Sequence, residues 1–113
     1  MSSSETGLFG AALLGLSLLA GCAHAEIACP AKAAGGGTLS GAQVFDGPPE
    51  ELASLAPDGD EGVSWDLKGY RDNPRELYLV CEYADGAKQN MRLPKDVSEC
   101  TVAGKGEVTA RCN

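Results

Sequence analysis

The chain has 113 residues and a formal net charge of −7 at pH 7, so it can hold one small acidic domain. Its lysines and arginines form no basic patch, which argues against nucleic acid as a partner. The single histidine, His24, lies near the N-terminus. The rest of the chain therefore has no imidazole for Ser–His or Cys–His catalysis, or for a zinc site.

The N-terminal residues 1–25 are predicted to be an export signal, although residues 1–7 contain Glu5 and lack the Lys or Arg usual at the start of such a signal. Residues 8–20 (LFGAALLGLSLLA) are apolar and uncharged, but too short for a bilayer, which takes about 20 apolar residues. Two cleavage sites fit: the lipoprotein-like LAGC ending at the lipidation candidate Cys22, and the A-x-A form AHA ending at Ala25. We favour the first because Cys22 otherwise has no role. Either site leaves a single domain over residues 26–113.

Four cysteines in this domain predict two disulfide bonds: Cys29, Cys81, Cys100 and Cys112. A chain this small buries a limited core, so each bridge is expected to contribute about 2–4 kcal/mol. Four cysteines allow three connectivities, and the sequence leaves all three open. A local bridge between Cys100 and Cys112 is one option because they flank a predicted hairpin. It would leave Cys29 to pair with Cys81.

The first half of the domain is predicted to be loop-rich. Glycines at residues 35–37 indicate a flexible connector, because the frame and lysine of a phosphate-binding loop are missing. Residues 42–45 are a short strand candidate. Pro49 opens a predicted helical turn, which Pro57 prevents from continuing.

Acidic side chains are concentrated between residues 46 and 66. The simplest interpretation is a solvated loop, because no EF-hand frame is present. We also consider this loop as a candidate binding surface for a basic partner or a cation. Its residues are Asp46, Glu50, Asp58, Asp60 and Glu61.

The second half is predicted to be built from strands. Residues 63–67 alternate apolar and polar side chains, which directs Val63, Trp65 and Leu67 toward the core. Residues 77–83 (LYLVCEY) are apolar on both faces, which indicates a central strand covered on both sides.

An Asp-Gly turn leads from that central strand into a return strand at residues 89–93, and a final hairpin covers residues 100–112. Sequential hairpins predict a mainly β fold (a β-rich α+β domain). It would be a small antiparallel sheet or an open barrel with one short helical turn.

No catalytic site is predicted. The serines lie in no G-x-S-x-G motif, the cysteines form no C-x-x-C pair, and a chain of this size could hardly hold two carboxylates across a cleft. We therefore expect a protein that is not an enzyme and needs no cofactor or metal.

Several short blocks together resemble a known family: residues 45–50 (FDGPPE), 55–58 (LAPD), 65–67 (WDL) and 77–83 (LYLVCEY), then Leu93-Pro94 followed by Val97 and Cys100. In this order they resemble a family of small exported proteobacterial proteins without an established function, known by an STY-series locus name. The resemblance covers residues 27–112. It implies export and paired cysteines, and it supplies no catalytic residues.

Three functions are compatible with these features. The first is an exported cell-envelope protein that acts as a non-enzymatic interaction or structural module, either periplasmic or held to the membrane by a lipid anchor, with a protein partner in the envelope. The second is a small periplasmic inhibitor of a lytic enzyme such as lysozyme or a protease, because an acidic domain suits a basic enzyme surface. The third is a cation or ligand binder that uses the acidic loop at residues 46–66.

Overall fold

The fold consists of two antiparallel β-sheets. The computed structural model describes residues 26–59 and 63–113, so the predicted signal with Cys22, as well as Asp60 and Glu61, lies outside the described residues. One sheet has the strand order β1-β7-β6-β3 and the other the order β2-β4-β5. The strands are Ile27–Ala28 (β1), Leu39–Asp46 (β2), Ser64–Asp66 (β3), Leu77–Tyr83 (β4), Lys88–Leu93 (β5), Glu99–Ala103 (β6) and Thr109–Cys112 (β7).

The prediction of a mainly β fold with two disulfides is confirmed. Both sheets are open and all strand pairs are antiparallel. The helical structure of the described residues consists of two short 3₁₀ turns, at Pro49–Glu51 and Lys68–Tyr70. No helix in this part of the chain is long and apolar enough to cross a membrane.

Strand β4 is the central strand of its sheet, with β2 on one side and β5 on the other. Every second residue of the strand points inward, as predicted. All four of these residues are buried: Leu77, Leu79, Cys81 and Tyr83. The outer face is covered only in part. Val80 is buried because the side chains of the neighbouring strands flank it in the sheet, whereas Tyr78 and Glu82 are half-buried.

The core lies between the two sheets. Val44, Leu79 and Leu93 from one sheet form a cluster with Trp65 and others from the second sheet. Each fully buried side chain of this kind contributes about 1.5–3 kcal/mol through removal of apolar surface from water. Trp65 and Leu67 are buried as predicted, but the prediction for Val63 was wrong. This residue is 38% exposed, although its carbonyl accepts a hydrogen bond from the Val102 N–H at 2.7 Å.

Two disulfides link the strands. Cys29, just after β1, is bonded to Cys81 in β4, with 5.8 Å between the Cα atoms. Cys100 and Cys112 are directly opposite each other in β6 and β7 and form the second bridge. The structure thus has the connectivity of one local and one long-range bridge, out of the three that the sequence allowed.

The first half of the domain is more ordered than predicted. The glycine-containing segment at residues 35–37 is a tight turn, not a flexible connector, because the Ala33 N–H donates to the Gly37 carbonyl at 2.8 Å. Gly36 has a φ of 97°, which favours glycine at this position. The turn leads directly into β2, so that strand starts three residues before the predicted start at Ala42.

The burial of Tyr83 produces a testable dependence of stability on pH. Its hydroxyl donates to the Pro30 carbonyl at 2.8 Å, and burial raises the pKa of the phenol above its ordinary value. Since the folded pKa exceeds the unfolded value of about 10, the related stability is present below pH 10 and is lost as pH rises through the folded pKa.

We therefore expect the melting temperature of Tyr83→Phe to fall less than that of the parent protein above about pH 10. At neutral pH the same variant should lose about 1 kcal/mol with the hydrogen bond. Tyr78→Phe, on the outer face of the same strand, is the matched control and should keep the alkaline fall. Identical pH profiles for Tyr83→Phe and the parent protein would contradict this assignment.

Candidate partner-binding surface

The described residues do not assemble a metal centre. No group of three or more His, Cys, Asp or Glu side chains in residues 26–59 and 63–113 is placed to hold a metal ion. One open cleft of about 570 Å³ lies where the N- and C-terminal parts of the domain meet, and its walls include Glu26, Arg71, Val97 and Asn113. Charged and apolar groups are mixed along these walls.

The most distinctive surface feature is the segment from Asp46 to Leu55, which we call the 46–55 loop. It leaves β2, turns back and runs along the edge of the same strand. The Asp46 N–H donates to the Ala53 carbonyl at 2.9 Å, and the Leu55 N–H donates to the Val44 carbonyl at 2.8 Å. Because both ends are fixed to the strand edge, the loop has a defined shape.

At the tip of this loop the chain makes a 3₁₀ turn over Pro49–Glu51. Proline at the start of the turn has the right φ and needs no hydrogen-bond acceptor. The predicted turn was expected to continue toward Leu55, but it ends at Leu52, which adopts φ 62° and ψ 28° in the left-handed region. Leu52 is also 79% exposed.

Arg75 holds the loop from the side. Its guanidinium is bonded to the Glu51 carboxylate, and its Nε lies 3.8 Å from Asp46 Oδ1. The hydrogen bond to Glu51 and the charge of that residue, with a smaller contribution from Asp46, raise the pKa of Arg75. The Asn73 Nδ2 donates to Asp46 Oδ1 at 3.0 Å. A side chain at Gly47, whose φ is 94°, would clash with the guanidinium.

Of the predicted acidic surface, the structure describes Asp46, Glu50 and Asp58. Asp46 is paired with Arg75, and the Asp58 carboxylate accepts a hydrogen bond from the backbone N–H of Asp66. Glu50 is exposed on the 3₁₀ turn. Asp60 and Glu61 lie outside the described residues. The role of these five residues as a common binding surface remains a prediction.

Sequence reasoning missed the residues that shape the loop. Arg75 and Asn73 were given no role from the sequence, because a contact between residues that are 24 or 27 positions apart leaves no local pattern. Leu52 was missed because leucine favours right-handed helix and nothing in the sequence indicates a left-handed conformation.

A second surface lies on the outer face of the β2-β4-β5 sheet. Phe45 and Tyr78 are opposite each other across β2 and β4, and both are half-buried. Arg92 pairs with Tyr78 on the other side. Aromatic side chains occur often in protein interfaces.

These features define a class of protein: a small, disulfide-bonded β domain with a fixed, protruding loop and exposed faces suited to a macromolecular partner. Residues 33–113 match the family described as type VI secretion system Tli immunity protein, and the chain therefore belongs to that family. The match includes every strand except β1. Comparison with curated proteins and with solved structures gave no match.

Family membership distinguishes between the hypotheses drawn from the sequence. An immunity protein implies a protein partner, the secreted effector, which agrees with the expectation of a partner protein. It also favours the second hypothesis, the inhibitor of a lytic enzyme, over a general interaction or structural module. The family match agrees with the expectation of a small protein connected with secretion. The resemblance to the STY-series proteins itself stays a prediction.

Proposed function

We propose that the protein is a periplasmic immunity protein. It binds a lytic effector enzyme that a type VI secretion system delivers into the cell envelope, and it blocks that enzyme by covering part of its surface. The family match over residues 33–113 is the observation that carries this proposal.

Two physical features support the compartment. The fold holds two disulfides, which persist in an oxidising environment such as the periplasm. The N-terminal residues 1–25 have the composition of an export signal. Lipidation at Cys22 would place the domain at the membrane surface, and stable anchoring needs more than one acyl chain.

The shape of the 46–55 loop supports inhibition by binding. Backbone hydrogen bonds and the contact with Arg75 fix the loop before any partner arrives. A preformed surface loses little conformational entropy on association, so more of the contact energy becomes affinity. The overall negative charge of the chain suits a basic partner and increases the rate of encounter with it.

The experiment that tests this function is capture followed by inhibition. The protein, purified from the envelope, is incubated with culture fluid from cells with an active type VI secretion system. Fluid from cells with an inactivated system is the matched control. We expect one effector enzyme to be retained from the first fluid only. The intact mass of the purified bait also reports whether Cys22 is lipidated.

The captured enzyme is then produced in the periplasm of a host that lacks this protein. We expect lysis, and we expect protection when the immunity protein is exported from the same cells. In vitro, inhibition should be complete near one equivalent, as for a tight stoichiometric complex. An enzyme that keeps its full activity with a tenfold excess of the protein would overturn the proposal.

A further inference from the structure

We infer that Leu52 is the anchor residue of the complex: its side chain inserts into an apolar pocket of the effector whose rim carries Lys or Arg. This inference rests on the proposed function and identifies the part of the surface that performs it.

The first observation is exposure. Leu52 is 79% exposed, and in the described part of the chain the other exposed large hydrophobic residue is Val63, at 38%. Single exposed leucines are common on protein surfaces, so exposure alone does not identify a site.

The second, independent observation is the backbone conformation. Leu52 has φ 62°, and it is the one residue other than glycine with positive φ in the described part of the chain. A Cβ in the left-handed region comes close to the following carbonyl oxygen, so glycine or asparagine is the usual residue at such a helix end. The free protein therefore bears the strain of a leucine here and gains no burial from it. Strain of this kind occurs often at ligand-binding sites.

The third observation is how the loop presents the side chain. The Leu52 N–H donates to the Pro49 carbonyl at 3.0 Å and the Glu51 N–H donates to the Pro48 carbonyl at 3.0 Å, so the turn is closed immediately before the leucine. The Glu51 carboxylate is tied to Arg75. The leucine is thus held in position at the tip of a fixed loop, and inserting it into a partner requires little reordering of the backbone.

The charges around Leu52 indicate the chemistry of the partner. Glu50 is exposed on the same turn, whereas the charge of Glu51 is partly balanced by Arg75. An apolar tip beside an exposed carboxylate matches an apolar pocket with a basic rim, because an acidic rim would be repelled and a purely polar pocket would lose its water without compensation.

The test measures binding to the effector captured as described above, purified as a catalytically inactive variant. Leu52→Ala is expected to raise the Kd by about 30-fold, the effect of removing an interface anchor. Leu52→Met keeps an apolar side chain of similar volume and should stay within about threefold of the parent. Lys105→Ala, in the exposed turn between β6 and β7, is the remote control and should have no effect.

Leu52→Asn separates binding from folding. Asparagine suits the left-handed conformation, so we expect a melting temperature equal to or above that of the parent, together with the same loss of affinity as Leu52→Ala. Glu50→Gln should lower the association rate and reduce its dependence on salt concentration, with a smaller effect on dissociation.

The outcomes distinguish this inference from the proposed function. If the parent protein inhibits the effector and Leu52→Ala binds equally well, Leu52 is not the anchor, although the immunity function stands. If the parent protein itself does not bind, the proposed function and the anchor are both overturned. If the parent is a dimer, Leu52→Ala is a monomer and affinity for the effector is unchanged, Leu52 is a contact between two copies and the inference is wrong.

Discussion

Replacing Cys29 and Cys81 together by alanine is expected to lower the free energy of unfolding by about 4 kcal/mol, because their bridge closes the longer of the two disulfide loops. The two cysteines are 52 residues apart in sequence, and Cys81 is fully buried in the central strand. Since domains of this size are stabilised by only about 5–15 kcal/mol, the loss removes a large part of the total. Urea unfolding of the oxidised protein, followed by far-UV circular dichroism, measures it.

The double variant Cys100→Ala and Cys112→Ala, which removes the other disulfide, is compared with the first. These residues are 12 positions apart, so the loop closed by their bridge is shorter, and the chain-entropy estimate is about 3 kcal/mol. Each double variant removes both partners of its bridge, so no free thiol is left where the bridge was. A larger loss for the Cys100 and Cys112 pair than for the Cys29 and Cys81 pair would show that constraint of the unfolded chain is not the dominant contribution.

Trp65→Ala is expected to cost about 3–5 kcal/mol, the usual range for removing a large aromatic side chain from a core. Trp65 is 4% exposed and belongs to the cluster between the two sheets. Its ring also donates from Nε1 to the Leu55 carbonyl at 3.0 Å, which ties β3 to the end of the 46–55 loop. The variant should therefore lose both core packing and part of the support of the loop.

Trp65→Phe separates these two contributions. Phenylalanine keeps much of the buried aromatic surface but cannot donate to the Leu55 carbonyl, so we expect a loss of about 1–3 kcal/mol from the unpaired acceptor and the smaller ring. Because Trp65 is the single tryptophan of the chain, unfolding of both variants must be followed by circular dichroism. A Trp65→Phe variant as unstable as Trp65→Ala would mean that ring packing contributes little.

Much of the β structure could be predicted from local patterns. Residues 77–83 are rich in apolar and aromatic side chains and are followed by an Asp-Gly turn, and these signals predicted β4 and the return of the chain into β5. Trp65 was placed in the core because its neighbours alternate in polarity. These predictions succeeded because the information lies within a few residues of each position.

The features that failed depend on contacts between distant segments. Strand β2 contains Gly41 and a register shift between Leu39 and Gly41, so its first residues do not read as a strand without the pairing to β4. Tertiary contacts likewise determine how the 46–55 loop returns along β2 and how it meets Arg75. In the candidate site, the sequence supplied the acidic character of the loop but not the left-handed leucine at its tip. Lipidation of Cys22 and the roles of Asp60 and Glu61 stay predictions.

The bridge between Cys29 and Cys81 also decides how a membrane tether would act on the domain. With an acyl group at Cys22, six residues would lie between the anchor and Cys29, a tether of at most about 25 Å when fully extended. A pull on that tether would first act on β1, whose two residues precede Cys29, and would then pass through the disulfide into β4. The disulfide would therefore stop the chain from peeling beyond Cys29 and would transmit the mechanical load to the central strand of the β2-β4-β5 sheet.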